Sequence, residues 1–212
     1  GIGVMPTRPP LYFGMVGNNG KAYANRAMNE SDLLLMVGAR VADRAVNQPD
    51  LIMNNKVLVH MDVDPAEIGK NVGPTIPLVG DAKHIFEDLL AQEFSCKCED
   101  WVSTLQGYRQ TMAPKRNPDP AYVDPAKFIT MLSDKMEEDG VYVADVGQNQ
   151  IWSCGYHVVK KGKFLTSGGM GTMGYSIPAA MGAKLADKRR QVIAVCGDGS
   201  FQMSMMELAT MR

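Results

Sequence analysis

The chain has 212 residues, 45% of them hydrophobic, which is enough apolar material for one large or two small globular cores. A formal net charge of −1 excludes a general electrostatic attraction to nucleic acids or anionic lipids, so small molecules are the expected ligands. The longest apolar runs, such as Leu33–Val37, are far shorter than a bilayer span, and the N-terminus lacks a basic segment followed by an apolar one. We therefore expect a cytoplasmic protein that binds neither nucleic acid nor membrane.

Strand and helix patterns alternate along the first half of the chain. A proline-containing segment over residues 1–13 leads into a helix predicted over 21–29. Short apolar runs and a helical run then predict three strands and a second helix, over 32–38, 56–64, 76–81 and 82–94 respectively. This alternation is typical of a parallel, doubly wound α/β sheet. A proline-broken stretch follows, and we interpret residues 96–124 as a linker between domains.

The second half shows the same alternation and predicts a second α/β unit. Asp124 and Pro125 are expected to cap and begin a helix, which is followed by a strand over 141–146, a helix over 175–186 and a strand over 191–196. Each unit has fewer strands than a typical sheet, and the last helix ends without a cap. The predicted fold class is therefore α/β with parallel doubly wound sheets from parts of two domains. These are a partial domain over 1–95 and a truncated domain over 125–212.

The four cysteines do not have the Cys-x-x-Cys spacing that zinc sites and redox disulfides favour. Cys96 and Cys98 are spaced like a soft-metal clip, but no nearby histidine completes such a site. We expect reduced thiols with a structural role.

One glycine-rich stretch of the second half has the spacing of a dinucleotide-binding turn. Gly169, Gly171 and Gly174 satisfy G-x-G-x-x-G between a short strand and a helix. A nicotinamide site also needs an acidic residue at the end of the next strand, where residues 192–196 are wholly apolar. The missing acidic residue argues against a nicotinamide site, and a nicotinamide-dependent oxidoreductase is therefore kept only as the alternative interpretation.

A second glycine turn, Gly197-Asp198-Gly199-Ser200, lies between an apolar strand and a helix. Its glycines let the backbone approach an anion, and the positive end of the following helix points at the same place. Asp198 would repel a bare phosphate, so the turn predicts a divalent cation between the carboxylate and a phosphate. The alternative is a surface turn in which aspartate and glycine merely suit the backbone.

Three ordered motifs resemble the thiamin-diphosphate-dependent enzymes, and among them most closely the large catalytic subunits of acetolactate (acetohydroxyacid) synthase. The motifs are DVGQNQIW at 145–152, TSGGMGTMGY at 166–175 and GDGSFQM at 197–203. The resemblance implies that Asp198 coordinates Mg²⁺. It also implies that the diphosphate is held by Gly199, Ser200, Gln148 and Asn149. Family members usually carry histidine where this chain has Asn149.

The same resemblance assigns the glycine-rich loop to the rings of thiamin diphosphate. Gly168 and Gly169 would lie along the rings, the Gly171 carbonyl would accept a hydrogen bond from the aminopyrimidine, and Met173 would wedge between the two rings. In this role Met173 would force the two rings of the cofactor into a bent shape. The bent shape brings the 4′-amino group against the thiazolium C2 proton, so that the cofactor can form the carbanion that attacks a 2-oxoacid. For Met173, core packing is the alternative role.

The first half resembles the middle domain of the same enzymes, which in acetolactate synthase binds FAD in a structural role. The matching positions lie at strand ends or in the loops that follow; they are Gly17, Asn18, Gly38, Ala39, Arg40, Arg44, Asp62, Val63, Gly80, Asp81 and Ala82. Arg40 would neutralise the FAD diphosphate, and an acid at a strand end would hold its ribose. For Asp62 and Asp64, the alternative is strand termination and capping of a helix that begins at Pro65. Family members usually carry methionine, histidine and aspartate where this chain has Asn18, Asn19 and Ala42.

The resemblance implies decarboxylation of pyruvate and carboligation to a second 2-oxoacid, a step of branched-chain amino acid biosynthesis. It also implies a homo-oligomer, a dimer or larger, and a regulatory subunit. Alternatives are glyoxylate carboligase, pyruvate oxidase, oxalyl-CoA decarboxylase and a non-catalytic descendant of the fold. The remaining cation ligands and a glutamate from a partner subunit are expected outside residues 1–212, so this chain alone is expected to be inactive.

Overall fold

The structure, a computed structural model, describes residues 1–42, 45–46, 48–93, 95–114 and 119–212. Contacts within these residues form two compact units. The N-terminal unit comprises Phe13–Pro114, and the C-terminal unit comprises Gly1–Tyr12 together with the described part of 115–212. Arg44, a predicted FAD residue, lies outside the described residues.

The N-terminal unit is built on a parallel sheet of order β1-β2-β3. Its elements are α1 (Ala22–Glu30), β1 (Leu33–Val37), α2 (Pro49–Met53), β2 (Val57–Asp62), β3 (Ile76–Val79), α3 (Ala82–Leu90) and α4 (Glu99–Thr111). Met36 and Leu58 bury one face of this sheet against Ile52 of α2. The predicted strands and helices are all present, and α2 is an additional short helix whose first residue is Pro49.

Helix α4 packs within the N-terminal unit, although its residues fall in the predicted linker. The Tyr108 hydroxyl donates a hydrogen bond to Glu30 on α1. The guanidinium of Arg26, also on α1, lies 4.1 Å from the centroid of the Tyr108 ring. These side chains dock α4 on α1, so the compact unit extends beyond the predicted boundary at residue 95.

The C-terminal unit is built on a parallel sheet of order β5-β4-β6. Its elements are α5 (Pro125–Lys135), β4 (Val141–Ala144), α6 (Gln148–Tyr156), β5 (Lys163–Thr166), α7 (Ser176–Ala186), β6 (Val192–Val195), α8 (Asp198–Ser204) and α9 (Glu207–Thr210). Every residue of the central strand β4 is buried. One face of β4 packs with residues of α5 and α6, and the other packs with α7, which confirms the predicted α/β class with parallel sheets.

The first residues of the chain pack into the C-terminal unit. Ile2 contacts its core cluster, and Thr7 forms two hydrogen bonds with Val159, one from each backbone N–H. This differs from the predicted division, which assigned residues 1–95 to one domain. Within the described ranges, no helix combines the length and apolar character that crossing a membrane requires.

Candidate cofactor site

The carboxyl ends of β4, β5 and β6 lie at one edge of their sheet because all pairings are parallel. The loops that follow these strands carry the residues predicted to bind thiamin diphosphate and Mg²⁺. The structure brings to this edge Gln148, Asn149, Gly168, Gly169, Gly171, Met173, Asp198, Gly199 and Ser200. This is the side on which open α/β sheets bind ligands.

Asn149 joins the ends of two strands at the start of α6. Its amide nitrogen donates to the backbone oxygens of Asp145, at 2.9 Å, and Val195, at 3.0 Å. An amide nitrogen has two hydrogens, so both are engaged, and direct donation to a diphosphate would require their release. Gln148, the first residue of α6, is exposed at this turn.

The turn between β6 and α8 carries the predicted cation ligand. Asp198 is exposed and is the first residue of α8, close to the positive end of the helix. The Ser200 hydroxyl is buried; it donates to the oxygen of Gly197 and accepts from its N–H, both at 3.1 Å. The hydroxyl therefore shapes the turn. In the described part of the chain, no group of three or more His, Cys, Asp or Glu side chains could hold a metal.

The glycine-rich loop after β5 borders open space. Gly168 and Gly169 are exposed, and a Cβ on Gly169 or Gly171 would find no atom within 4 Å. Gly171 has a φ of 68°, which favours glycine. Met173 is 40% exposed, and its terminal methyl lies 3.4 Å from where a Cβ on Gly199 would be. The two predicted motifs therefore meet at Met173 and Gly199.

Asp145 is a buried carboxylate that the sequence motif contains but that was assigned no role. Its oxygens accept from the N–H groups of Val146, Gly174 and Ser176, at 2.8, 3.0 and 2.7 Å. Burial raises the pKa of this carboxyl, but hydrogen bonds from Ser176, Val146 and Gly174 outweigh burial and hold the pKa below its ordinary value. An acid directly after a wholly apolar strand was the available sequence signal.

Burial makes two cysteine thiols of the C-terminal unit weakly acidic, including Cys196, which directly precedes the Gly197-Asp198 turn. Burial raises the pKa of the Cys154 thiol to about 11, and burial also raises the pKa of Cys196. Such thiols are weak nucleophiles at neutral pH.

The predicted FAD positions of the N-terminal unit gather in two places. Gly17 and Asn18 line an open cleft of about 330 Å³, together with amide side chains that include Asn25 and Gln48. The other described positions lie at or directly after the carboxyl ends of β1, β2 and β3; they are Gly38, Ala39, Arg40, Asp62, Val63, Gly80, Asp81 and Ala82.

Several of these side chains make local contacts. Asp62 accepts a hydrogen bond from the N–H of Asp64 at 3.0 Å, and Asp81 caps α3 by accepting from the N–H of Lys83 at 2.7 Å. The guanidinium of Arg40 is 76% exposed and lies 4.0 Å from Glu67. Residues 65–69 form turns rather than the helix expected from Pro65. Of the alternative given for Asp62 and Asp64, strand termination is present, because Asp62 is the last residue of β2. Asp64 accepts a hydrogen bond from the N–H of Ala66 at 2.9 Å, but it precedes a turn and not the expected helix.

His60 is a further buried residue of this region that sequence reasoning missed. Its Nε2 lies 3.2 Å from the backbone oxygen of Ala39, and its Nδ1 accepts a hydrogen bond from the N–H of Gly69 at 3.3 Å. The ring thus supports the loop that carries Gly38 and Arg40. Alternation on β2 places it on the inner face, which was the signal available in the sequence.

Family comparisons match both halves of the chain. The central domain of thiamine pyrophosphate enzymes matches residues 1–89, and their C-terminal TPP-binding domain matches residues 145–212. The second match begins directly after β4, and it includes β5, β6 and the loops that follow all three strands.

Similar curated proteins are acetolactate synthases. The chain is 39% identical to a probable acetolactate synthase large subunit of Methanocaldococcus jannaschii, 38% to the large subunit of Lactococcus lactis and 39% to an acetolactate synthase of Mycobacterium leprae. The alignments cover 98–99% of this chain and 35–37% of those proteins, so the chain spans about a third of their length. On both comparisons, the chain belongs to the thiamin-diphosphate (thiamine pyrophosphate) enzymes and carries sequence of their central and C-terminal TPP-binding domains.

Proposed function

We propose that this chain is part of an acetolactate-synthase-type enzyme that decarboxylates pyruvate and joins the product to a second 2-oxoacid. The observation that carries the proposal is the meeting of the two motifs, in which the Met173 methyl lies 3.4 Å from where a Cβ on Gly199 would be, and Gly199 directly follows Asp198. When bound, thiamin diphosphate would supply a nucleophilic carbon that bonds to the 2-oxoacid and an electron sink for the electron pair left as CO2 departs. The protein's own residues bind and orient that group.

The residues at the edge fit such a cofactor. A Cβ on Gly169 or Gly171 would meet no atom within 4 Å, so open space lies along the loop assigned to the rings. Asp198 and Gln148 are exposed at the ends of neighbouring strands, where a carboxylate suits Mg²⁺ and an amide suits a diphosphate oxygen. In this proposal Gly199, Ser200 and the start of α6 with Asn149 shape the diphosphate site. Gly168, Gly169, Gly171 and Met173 contact the rings.

FAD binding belongs to the same proposal for the N-terminal unit. The predicted positions that are described lie around the 330 Å³ cleft or at the carboxyl edge of the sheet, which supports a dinucleotide there. Arg40 is the cation proposed to face the diphosphate.

The proposal extends to location and partners. We propose a cytoplasmic homo-oligomer that acts on 2-oxoacids. Relatives named large subunits support a smaller regulatory subunit. Glyoxylate carboligase, pyruvate oxidase and oxalyl-CoA decarboxylase share the cofactor and differ in substrate, so product analysis separates them from the favoured reaction.

The test uses the protein extended to the full length of its relatives. We expect Mg²⁺-dependent binding of thiamin diphosphate by calorimetry, and acetolactate from pyruvate with an additional acetohydroxy acid when 2-oxobutyrate is supplied. Asp198→Asn should weaken Mg²⁺-dependent binding at least about tenfold, because a charged metal ligand is lost. Asp139→Asn, which changes an exposed aspartate of the same unit, is the control and should bind normally.

Two results would contradict the proposal. Binding that is independent of Mg²⁺ and unaffected by Asp198→Asn would remove the assigned cation site. An NADH-dependent fluorescence change without thiamin diphosphate binding would favour the oxidoreductase alternative.

A further inference from the structure

The end of β4 carries a carboxylate that has no exposed surface with which to touch a ligand. Asp145 is 0% exposed, and burying a carboxylate is costly unless hydrogen bonds compensate. Three backbone N–H groups do so, and two of them belong to Gly174 and Ser176, which follow the next strand in the chain. Ser176 is the first residue of α7, so the positive end of that helix also favours the anion.

Gly174 is held from both sides of its backbone. Its N–H donates to Asp145 at 3.0 Å, and its C=O accepts from the hydroxyl of Ser204 on α8 at 2.5 Å. Its φ is 84°, and a Cβ at this position would lie 2.7 Å from the Ser204 oxygen. Gly174 is thereby fixed between the end of β4 and the helix that begins with Asp198.

Met173 directly precedes this fixed residue. The Asp145 and Ser204 contacts are therefore made by the residue adjacent to Met173. The terminal methyl of Met173 lies 3.4 Å from where a Cβ on Gly199 would be, in the cation turn. At Gly171, two residues earlier, a Cβ would find no atom within 4 Å. The two hydrogen bonds on Gly174 therefore set where the Met173 end of the loop stands.

We propose that Asp145, assisted by Ser204, is a positioning residue that holds Met173 in register with the Asp198 turn before any cofactor binds. The inference rests on the proposed function, because it gives Met173 the role of shaping thiamin diphosphate at its rings. Asp145 acts through Gly174 and touches no ligand. It therefore governs the geometry of the rings, while the diphosphate end is held by other residues.

The first measurement is made without cofactor on the 212-residue chain. Amide hydrogen exchange at Gly174 and Ser176 is followed by NMR in wild type, Asp145→Asn and Ser204→Ala, with Asp139→Asn as the matched surface control. We expect exchange of the Gly174 or the Ser176 N–H to be at least about tenfold faster in Asp145→Asn, because the two groups donate to different carboxylate oxygens and asparagine keeps only one acceptor. Exchange in Asp139→Asn should equal that of wild type.

The second measurement uses the protein extended to the length of its relatives, with Mg²⁺ and thiamin diphosphate. We expect Ser204→Ala and Asp145→Asn to keep the cofactor Kd within about threefold, since the diphosphate contacts are intact. The near-UV circular dichroism of the bound rings should fall by about half or more in both variants. A residue with only a structural role would not separate these two readouts.

The outcomes discriminate between the two proposals. Wild type that binds no thiamin diphosphate would overturn the proposed function and this assignment with it. Wild type that binds the cofactor, with unchanged exchange and unchanged circular dichroism in both variants, would overturn this assignment alone. Parallel loss of affinity and circular dichroism would mark a structural role and also overturn it. If Asp145→Asn does not fold, Ser204→Ala decides, because it removes a single hydroxyl.

Discussion

His157 is a buried polar residue of the C-terminal unit that makes short, directed contacts. His157 is 9% exposed; its Nδ1 lies 2.8 Å from the hydroxyl of Ser133, and its ring stacks on Tyr142 with centroids 4.0 Å apart. Burial, with a smaller contribution from the positive charge of Lys160, lowers the pKa of His157 to about 4. The imidazole is therefore neutral in the folded protein at physiological pH.

This shifted pKa predicts a pH dependence of stability. Between about pH 6.5 and 4 the unfolded chain takes up a proton at His157 while the folded protein does not. The free energy of unfolding should therefore be complete above about pH 6.5, fall by up to about 3 kcal/mol as the pH drops to 4, and then level off at this site. The slope of the free energy of unfolding against pH is measured by urea unfolding, followed by Trp152 fluorescence in a Trp101→Phe background.

The variants for this measurement are His157→Gln and His84→Gln. His157→Gln should lose this part of the slope, whereas His84→Gln, at an exposed position, should keep it. Equal slopes in wild type and His157→Gln would show that another group is responsible.

At the scale of elements, the two neighbouring residues that begin α6 after β4 have different surroundings. Asn149 donates hydrogen bonds to the backbone oxygens of Asp145 and Val195, whereas Gln148 is exposed at the start of α6. We therefore expect Asn149 to affect stability and Gln148 to affect cofactor affinity.

Alanine substitutions separate these two roles. Asn149→Ala should lower the free energy of unfolding of the C-terminal unit by about 1–3 kcal/mol, because it leaves a backbone oxygen without its donor. Gln148→Ala should change stability by less than about 0.5 kcal/mol, and it should weaken thiamin diphosphate binding roughly tenfold if its amide holds the diphosphate. Urea unfolding and calorimetry measure the two effects. The reverse assignment of effects would contradict the geometry.

At the scale of the whole molecule, the first residues and the second half of the chain share one unit. Thr7 pairs with Val159, Ile2 packs on the core cluster, and Gly3 lies against Phe164 of β5. A unit closed by contacts between such distant parts of the chain depends on both of them.

Removal of residues 1–8 should therefore destabilise the C-terminal unit. The loss of two hydrogen bonds and of the buried part of Ile2 is expected to lower its free energy of unfolding by about 2–4 kcal/mol. Trp152 fluorescence in the Trp101→Phe background again reports the transition. Arg8→Ala is the control and should have little effect, because the Arg8–Asp134 ion pair is exposed. An unchanged midpoint after the deletion would contradict the packing described.

Most of the fold could be predicted from local patterns. Apolar runs such as Leu33–Val37 and Val141–Ala144 form sheet strands as expected, although every residue of the second run is buried and only Met36 of the first. The Asp124-Pro125 pair begins α5 as expected. Helix α4 was assigned to a linker because the contacts that dock it, from Tyr108 to Glu30, span distant parts of the sequence. No local pattern specifies such a contact.

By itself, the sequence determined the α/β class, the order of the elements and the positions of the glycine turns that carry Gly171, Met173 and Asp198, because these follow from hydrophobic periodicity and from turn chemistry within a few residues. Only the tertiary structure decided that the Asn149 amide faces inward, that Asp145 holds Gly174 and that residues 1–12 complete the C-terminal unit. The physical reason is chain closure. A hydrogen bond between distant residues exists only once the sheet has brought its strand ends together, and which donor then meets which acceptor depends on packing as a whole.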